Sequence, residues 1–187
     1  TQTLTPKDAP FGVNLIVHKS NSRLHADLAQ IVKYRVPLVI TSLGAVSDVV
    51  DAVHSYGGLV FHDVIGTRHA EKAIQAGVDG LIPVAAGAGG HAGTTHPFVL
   101  VQEMRQLFKG FIALSGCLNT GADIAAARAL GADFGYMGTR LIATQEANAE
   151  SSYKQMLLDS QSKDIVYTKE ISGIHANFLR PSIVKAG

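Results

Sequence analysis

The feature of this sequence that most restricts its fold is a regular alternation of short apolar runs with stretches of helical spacing. Six runs rich in β-branched residues are predicted as strands, over residues 12–17, 38–41, 59–62, 80–85, 111–115 and 134–137. Between the first two, Leu24, Leu28 and Ile31 recur at the spacing of one helix face. Such alternation is typical of βαβ units and predicts an α/β protein with a parallel sheet.

The length of the repeating unit narrows the choice of architecture. Strand starts recur every 21 to 31 residues, which suits a (β/α)₈ barrel. Six strands do not close such a barrel, so an open doubly wound sheet is the alternative. In both architectures ligands bind at the carboxyl ends of the strands, and we therefore expect the functional residues in the loops that follow the strands.

The intervening helices carry recognisable end signals. Val46, Val49 and Val53 share one face of the second predicted helix. The fifth has Thr120 at its start and Asp123 three residues later, the pattern of a capping box. The segments AGVDG (76–80) and LGADF (130–134) repeat one junction, in which a glycine ends a helix and an acidic residue precedes a strand. A last helix is predicted over residues 147–159.

Charge and composition exclude several classes of partner. Sixteen basic and fifteen acidic residues leave a formal net charge of +1, which gives no electrostatic basis for binding nucleic acid or an anionic membrane. No apolar run approaches the roughly 20 residues that span a bilayer. The single cysteine, Cys117, excludes an intrachain disulfide and fits a cytoplasmic location. We expect a small-molecule partner.

The strongest candidate for chemistry is the loop at 87–93, which places His91 among four glycines directly after the fourth predicted strand. Glycine allows positive φ and lets a ligand approach the backbone closely. Taken alone, the loop is equally consistent with a flexible turn that happens to carry a histidine.

Two later loops have the composition of a phosphate site. Ser115-Gly116-Cys117 and Gly138-Thr139-Arg140 each follow a strand, and the first leads to a helix N-terminus near Thr120. Backbone N–H groups and the helix dipole favour an anion at such a place, and phosphate sites in barrels are built from the last two βα loops. The alternative is that these glycines only turn the chain. No GxGxxG fingerprint or P-loop is present.

Metal and nucleophile chemistry is disfavoured. His62 and Asp63 are adjacent, but neighbours on a strand point to opposite faces, so we predict that they share no metal and that the protein has no metal site. Ser115, Ser42 and Cys117 lie in no nucleophile elbow. For Cys117 taken by itself, we expect a small buried residue.

Three motifs together resemble a known family: FGVNL (11–15), AGAGGHAG (86–93) and ALGADFGYMGTR (129–140). They are similar to the nitronate monooxygenases, formerly called 2-nitropropane dioxygenases, which are FMN-dependent TIM-barrel oxidoreductases. The likeness runs in motif order from Phe11 to about Gly173. Members of that family begin with two further βα units, so the resemblance implies that the six predicted strands correspond to strands three to eight of the barrel. Residues 1–146 would form the partial FMN-binding barrel and residues 147–187 a C-terminal helix and substrate-side segment.

The resemblance implies a cofactor, FMN, and a role for individual residues. His91 would be the catalytic base and Gly89 would lie beside the flavin ring, while Asn14 and Asp63 would face the flavin from strand ends. The full set of implied cofactor-binding residues is Asn14, Asp63, Gly89, Gly90, Ser115, Gly116, Cys117, Gly138 and Thr139. The chain departs from the family at two positions. At the position of Asp63, some members carry a basic residue. At the position of Cys117, the usual residue is the second glycine of a Ser-Gly-Gly loop.

The implied reaction is oxidation of an alkyl nitronate, or of a nitroalkane after His91 removes its α-proton. Electrons would pass from the substrate to FMN and then to dioxygen. The products would be a carbonyl compound and nitrite. An imidazole suits this proton abstraction because its ordinary titration range lies near neutral pH. The alternatives are an FMN-dependent enoyl-acyl-carrier-protein or NADH:quinone reductase on the same scaffold, a barrel resembling IMP dehydrogenase, and an inactive FMN-binding remnant. A homo-oligomer is compatible with the sequence.

Overall fold

The computed structural model describes residues 10–18, 20–44 and 47–186. Numbered in chain order within these ranges, the strands are β1 (Gly12–Ile16), β2 (Leu38–Ser42), β3 (Leu59–Val64), β4 (Gly80–Pro83), β5 (Gly90–His91), β6 (Phe111–Ser115), β7 (Phe134–Tyr136), β8 (Ile165–Thr168) and β9 (Ala176–Leu179). The α-helices in the same ranges are α1 (Leu24–Lys33), α2 (Ser47–His54), α3 (Thr67–Gln75), α4 (Pro97–Leu107), α5 (Gly121–Ala129), α6 (Thr139–Ile142), α7 (Ser151–Asp159) and α8 (Arg180–Ala186).

Six strands form one parallel sheet whose order follows the chain. The order is β1-β2-β3-β4-β6-β7, and each neighbouring pair is parallel. A doubly wound sheet reverses its strand order at a switch point, whereas a barrel adds each strand to the same side of the last. The sequential order therefore confirms the predicted barrel architecture, of which these strands form an open part.

The two faces of the sheet are covered by different groups of residues. Val39, Val60 and Leu81 point outward and pack with apolar helix residues such as Val53 and Leu100 in the main hydrophobic core. A second, smaller cluster of Phe61, Ile82 and Ala113 occupies the opposite, inner face. This division follows from the two-residue period of a strand, and it decides which side chains of each strand face the inside of the barrel.

The repeated junction predicted from sequence is present twice with the same hydrogen bonding. Asp79 Oδ2 accepts from the backbone N–H of Val60 at 2.8 Å, and Asp133 Oδ2 accepts from that of Ile112 at 2.8 Å. Each carboxylate also has a basic partner on a helix, since His54 Nε2 lies 2.8 Å from Asp79 and Arg105 Nη2 lies 2.7 Å from Asp133. The acidic residue thus joins the start of its own strand to the neighbouring strand.

A second, antiparallel sheet in the order β5-β9-β8 lies beside the barrel strands, and sequence reasoning did not find it. The segments Ile165–Thr168 and Ala176–Leu179 have four residues each, too short for an alternating pattern to stand out, and β5 has two. A 3-10 turn at Ser162–Asp164 precedes β8.

The predicted element boundaries need small corrections. Val17 and Met137 fall just outside their strands, and β4 ends at Pro83 because Val84 makes only an isolated bridge to Ser115. The last long helix begins at Ser151 rather than at 147. The described ranges do not include Val46, residues 1–9 or residue 187. The division of the chain between residues 146 and 147 stays a prediction.

Within the described ranges no helix is both long enough and apolar enough to cross a bilayer.

Asp133→Asn tests the junction. Burial raises the pKa of Asp133, but the hydrogen bonds from Ile112 and Arg105 and the charge of Arg105 outweigh it and hold that pKa below its usual value. A carboxylate with a depressed pKa in the folded state stabilises the fold above its unfolded pKa, and this stabilisation is lost as the pH falls. We expect Asp133→Asn to lower the free energy of unfolding by about 1 kcal/mol at pH 7, a modest figure because the pair is partly exposed.

Urea denaturation of the two proteins at pH 7 and again below about pH 4 measures this difference, which should shrink at the lower pH. Asp51→Asn, at an exposed position on α2, is the control for loss of a surface charge. A difference between Asp133→Asn and the parent that does not change with pH would contradict the interpretation.

Candidate functional site

The polar residues of the inner face converge at the carboxyl ends of the strands. Alternation along each strand places one or two of them there: Asn14 on β1, Ser42 on β2, Asp63 on β3, Ser115 on β6 and Tyr136 on β7. All five line a cavity of about 900 Å³, together with His91 from the loop after β4. This is the edge of the sheet at which barrels bind their ligands.

The histidine loop is a paired segment and not a free turn. Gly90 and His91 form β5, which pairs with Asn177 and Ala176 of β9. Gly87 and Gly90 have φ values of +83° and +76°, which other residues rarely adopt. His91 is exposed and belongs to the wall of the 900 Å³ cavity.

A second cavity, of about 590 Å³, adjoins the first. Its wall contains residues 115–117 of one loop predicted to bind phosphate and residues 138 and 139 of the other, whereas Arg140 of that second loop is not part of the wall. The second cavity shares Gly89, Gly90, Ser115 and Tyr136 with the first. Both volumes lie within the range of small-molecule sites. The two cavities are thus neighbours, with His91 on the wall of the first and the phosphate-type loops on the wall of the second.

Two glycines of these walls leave no room for a side chain: Gly89 in the part that the cavities share, and Gly116 in the second cavity. A Cβ at Gly89 would lie 2.5 Å from Thr139 Oγ1, and Gly116 has a φ of +117° with Ala85 O only 3.2 Å from a would-be Cβ. The predicted capping box is confirmed, since Thr120 Oγ1 accepts from Asp123 N and Asp123 Oδ2 accepts from Thr120 N. A flat group could lie against the bare backbone at Gly89, whereas the N–H groups of Thr120 and Asp123 at the start of α5 are already bonded within the capping box.

Asp63 is the acidic group of the first cavity. Burial raises the pKa of the Asp63 carboxyl, and the hydroxyl of Ser42, which donates to Asp63 Oδ2 at 2.6 Å, partly offsets this effect. Burial also raises the pKa of Tyr136, and the nearby charge of Asp63 raises it further. Burial in the cavity thus makes both groups weaker acids than they are in water.

His62, next to Asp63, is directed to the opposite face of the sheet, as the strand pattern predicts. It still belongs to the wall of the 900 Å³ cavity, which extends past the strand ends to α3 residues such as Lys72. Its ring is buried, and burial followed by the charge of His69 lowers the pKa of His62 to about 4. The Thr41 hydroxyl donates its proton to Phe61 O at 3.1 Å. Because that proton is already used, His62 Nδ1, which lies 2.8 Å from Thr41 Oγ1, donates to Thr41 Oγ1.

Within the described ranges, no cluster of three His, Cys, Asp or Glu side chains could hold a metal ion.

The residues predicted from sequence all lie at the two cavities. Asn14, Asp63 and His91 line the first, Gly116, Cys117, Gly138 and Thr139 line the second, and Gly89, Gly90 and Ser115 line both. Their chemical roles stay predictions.

One prediction about these residues was wrong: Cys117 is exposed and not buried. The backbone of Cys117 has a φ of +58° directly after Gly116. This turn places the Cys117 sulfur 3.4 Å from Ala86 O. A Cβ at Gly87 would overlap the Cys117 sulfur.

Three residues near the site, Tyr136, Tyr167 and Asn177, were not found from the sequence, and Ser42 was considered there only as a nucleophile. The positions of Ser42 and Tyr136 could have been predicted, since they share a face with Ile40 and Phe134 by two-residue alternation. Tyr167 and Asn177 could not, because each acts on the histidine loop from a distant part of the chain.

Comparison with known proteins identifies the family. A model of the nitronate monooxygenase family matches residues 22–186. A nitronate monooxygenase of Paraburkholderia phytofirmans is 27% identical over 75% of the chain and 41% of its own length. A (3aS,4S,5R,7aS)-5-hydroxy-7a-methyl-1-oxo-octahydro-1H-indene-4-carboxyl-CoA dehydrogenase of Rhodococcus jostii is 26% identical over 100% of the chain and 52% of its own length. The chain thus spans about half the length of the curated relatives it matches.

Solved structures share the fold. FabK from Thermotoga maritima superposes with a TM-score of 0.86 at 29% identity, over 92% of this chain and 55% of its own. Nitroalkane oxidase from Streptomyces ansochromogenes superposes with a TM-score of 0.82 at 23% identity, over 91% of this chain and 61% of its own. The second likeness, at its lower identity, shows the fold alone.

Ser42→Ala tests the environment of Asp63. Removing the hydroxyl removes the hydrogen bond that opposes the effect of burial, so we expect the pKa of Asp63 to rise further. A ¹³C NMR titration of the side-chain carboxyls measures it. Ser55→Ala, which removes a hydroxyl that donates to Ala52 O at the end of α2, is the matched control and should leave Asp63 unchanged. An unchanged or lowered pKa of Asp63 in Ser42→Ala would contradict the assignment.

Proposed function

The chain belongs to the nitronate monooxygenase family, a family of oxidoreductases, and from that premise we propose that it carries out FMN-dependent oxidation of alkyl nitronates and nitroalkanes by dioxygen. The products would be a carbonyl compound and nitrite, with His91 as the base. The observation that carries the proposal is the position of His91 on the wall of a 900 Å³ cavity that adjoins the phosphate-type loops.

The residues around the two cavities fit FMN. Bare backbone at Gly89 and Gly90 suits a flat ring system, and Asn14 and Asp63 would face it from the inner side of the sheet. Ser115, Gly116, Cys117, Gly138 and Thr139 would hold the phosphate through the two hydroxyls and through backbone N–H groups of these loops. When bound, FMN supplies the redox chemistry, accepting electrons from the substrate and passing them to dioxygen.

His91 would act on the proton of the substrate. A neutral nitroalkane must lose its α-proton before it can be oxidised, and the exposed imidazole of His91 is available within the cavity to take it. A nitronate has already lost that proton and needs only to be bound and oriented. The wall formed by Asn14, Ser42 and Tyr136 would orient either substrate beside His91.

Asp63 would present a buried carboxyl to the substrate side of the cavity. The Ser42 hydroxyl donates a hydrogen bond to it, and burial raises its pKa above the usual value. In its protonated form this carboxyl would donate a hydrogen bond to a nitronate oxygen, whereas in its ionised form it would repel that oxygen.

His91→Ala separates the two substrates. We expect it to lower turnover of neutral nitroalkanes by roughly 100-fold or more, since general-base catalysis contributes about that much, while turnover of preformed nitronates falls far less. FMN binding should persist, because His91 is not among the residues proposed to hold the phosphate. Nitrite release and oxygen uptake measure activity, and visible absorbance measures bound flavin.

The same assay decides among the alternatives. Equal turnover of neutral nitroalkanes by His91→Ala and the parent would remove His91 from the mechanism. Fast anaerobic bleaching of the flavin by NADH, without nitrite release from nitronates, would favour the reductase alternative. A yellow protein with no oxygen uptake on any nitronate would favour the inactive remnant, and a colourless one that FMN does not restore would overturn the cofactor assignment.

The proposed phosphate loops have their own test. Ser115→Ala and Thr139→Val each remove one hydroxyl from the loops, and we expect each to weaken FMN binding by roughly tenfold, the loss of one hydrogen bond to a charged group. Quenching of FMN fluorescence on titration measures the dissociation constant. Thr144→Val is the matched control, since that hydroxyl donates to Leu141 O and does not line either cavity. Unchanged binding in both loop variants would contradict a phosphate there.

A further inference from the structure

We propose that the hairpin of β8 and β9 is the element that positions His91, and that Asn177 and Tyr167 are the side chains through which it acts. The inference rests on the proposed role of His91 as the base. Neither residue is proposed to touch the substrate, so both are positioning residues.

The two side chains hold the backbone on both sides of the histidine. Asn177 Nδ2 donates to Ala88 O at 2.7 Å, three residues before His91. Tyr167 Oη donates to Ala92 O at 3.2 Å, one residue after it. Between these two points, β5 pairs with β9 with Gly90 opposite Asn177 and His91 opposite Ala176.

The loop needs such restraint because of its composition. Glycine loses more conformational freedom on ordering than any other residue, and four of the seven residues at 87–93 are glycine. The restraint is not local, since Asn177 is 89 residues from Ala88 and Tyr167 is 75 residues from Ala92. A glycine-rich segment that lets a ligand approach closely therefore depends on a distant hairpin to keep its histidine in one place.

The two strands of the hairpin hold each other through their own contacts. Ala176 is only 2% exposed, and the ring of Tyr167 stacks on His175 with centroids 5.1 Å apart. Four residue pairs join β8 to β9, from Ile165 opposite Leu179 to Thr168 opposite Ala176. The phenol and the amide thus project toward the loop from a braced strand pair.

The same strand lines the second cavity. Asn177, Phe178 and Leu179 belong to the wall of the 590 Å³ cavity, while Asn177 also holds the loop that carries His91. A ligand in the second cavity would consequently contact the strand that sets the position of the base in the first.

The first test compares two substrates in two variants. Asn177→Asp keeps the size of the side chain but replaces the donor amide by a carboxylate, and Tyr167→Phe removes a single oxygen. Both are assayed at saturating FMN, because Asn177 also lines the second cavity. We expect each to lower kcat for a neutral nitroalkane by roughly 10- to 100-fold, the scale of a misplaced catalytic group, and to change kcat for the preformed nitronate by about twofold or less. Glu170→Gln, at an exposed position on the turn of the same hairpin, is the control and should change neither rate.

The second test needs no activity. Amide hydrogen exchange at residues 90 and 91, followed by NMR or by mass spectrometry of peptides, should become roughly 10-fold faster in Asn177→Asp and in Tyr167→Phe, because the loop opens more easily without its anchor. Amides of β2 and β3 should exchange as in the parent protein. If Asn177→Asp does not fold, Tyr167→Phe alone carries both tests.

The two tests separate the two hypotheses. Faster exchange with no turnover of either substrate by the parent would leave the anchoring role intact and overturn the proposed function. Unchanged exchange at residues 90 and 91, or equal losses on both substrates in a folded variant, would overturn the role of the hairpin.

Discussion

The alternation of side chains along six parallel strands is the constraint on which the rest of this structure depends. Outward residues such as Val60 and Leu81 pack against the helices and form the main core. The inward residues of the same strands do not contribute to that core, so they can be polar. Toward the amino ends those positions are apolar, as at Phe61, and at the carboxyl ends they are polar, as at Asp63 and Ser115. A shift of one residue in register would exchange the two sets, so core and site are specified together.

The sequence predicts best what is encoded locally. Strand runs, the capping box at Thr120 and the two acidic junctions at Asp79 and Asp133 each depend on residues a few positions apart, and each is present. Sequential strand order follows from the βαβ units, and the resemblance in the glycine and histidine motifs agrees with the family match.

What the sequence does not predict depends on long-range contacts. The pairing of β5 with β9 joins residues more than 80 positions apart, and neither segment has a pattern of its own. The exposure of Cys117 follows from the left-handed turn after Gly116 and from the loop at Gly87 against which its sulfur lies. The pKa shifts of Asp63 and Tyr136 likewise require knowledge of what buries them.

Flexibility and precision impose opposite demands on the loop at 87–93. Close approach of a ligand favours glycine, since a Cβ at Gly89 would meet Thr139, but glycine also frees the backbone that carries His91. Placing the restraint on a hairpin outside the barrel strands meets both demands, because the hydrogen bonds from Asn177 and Tyr167 end on carbonyl oxygens and need no side chain on the loop. The barrel strands thus shape the first cavity, while the hairpin restrains the histidine and forms part of the wall of the second cavity.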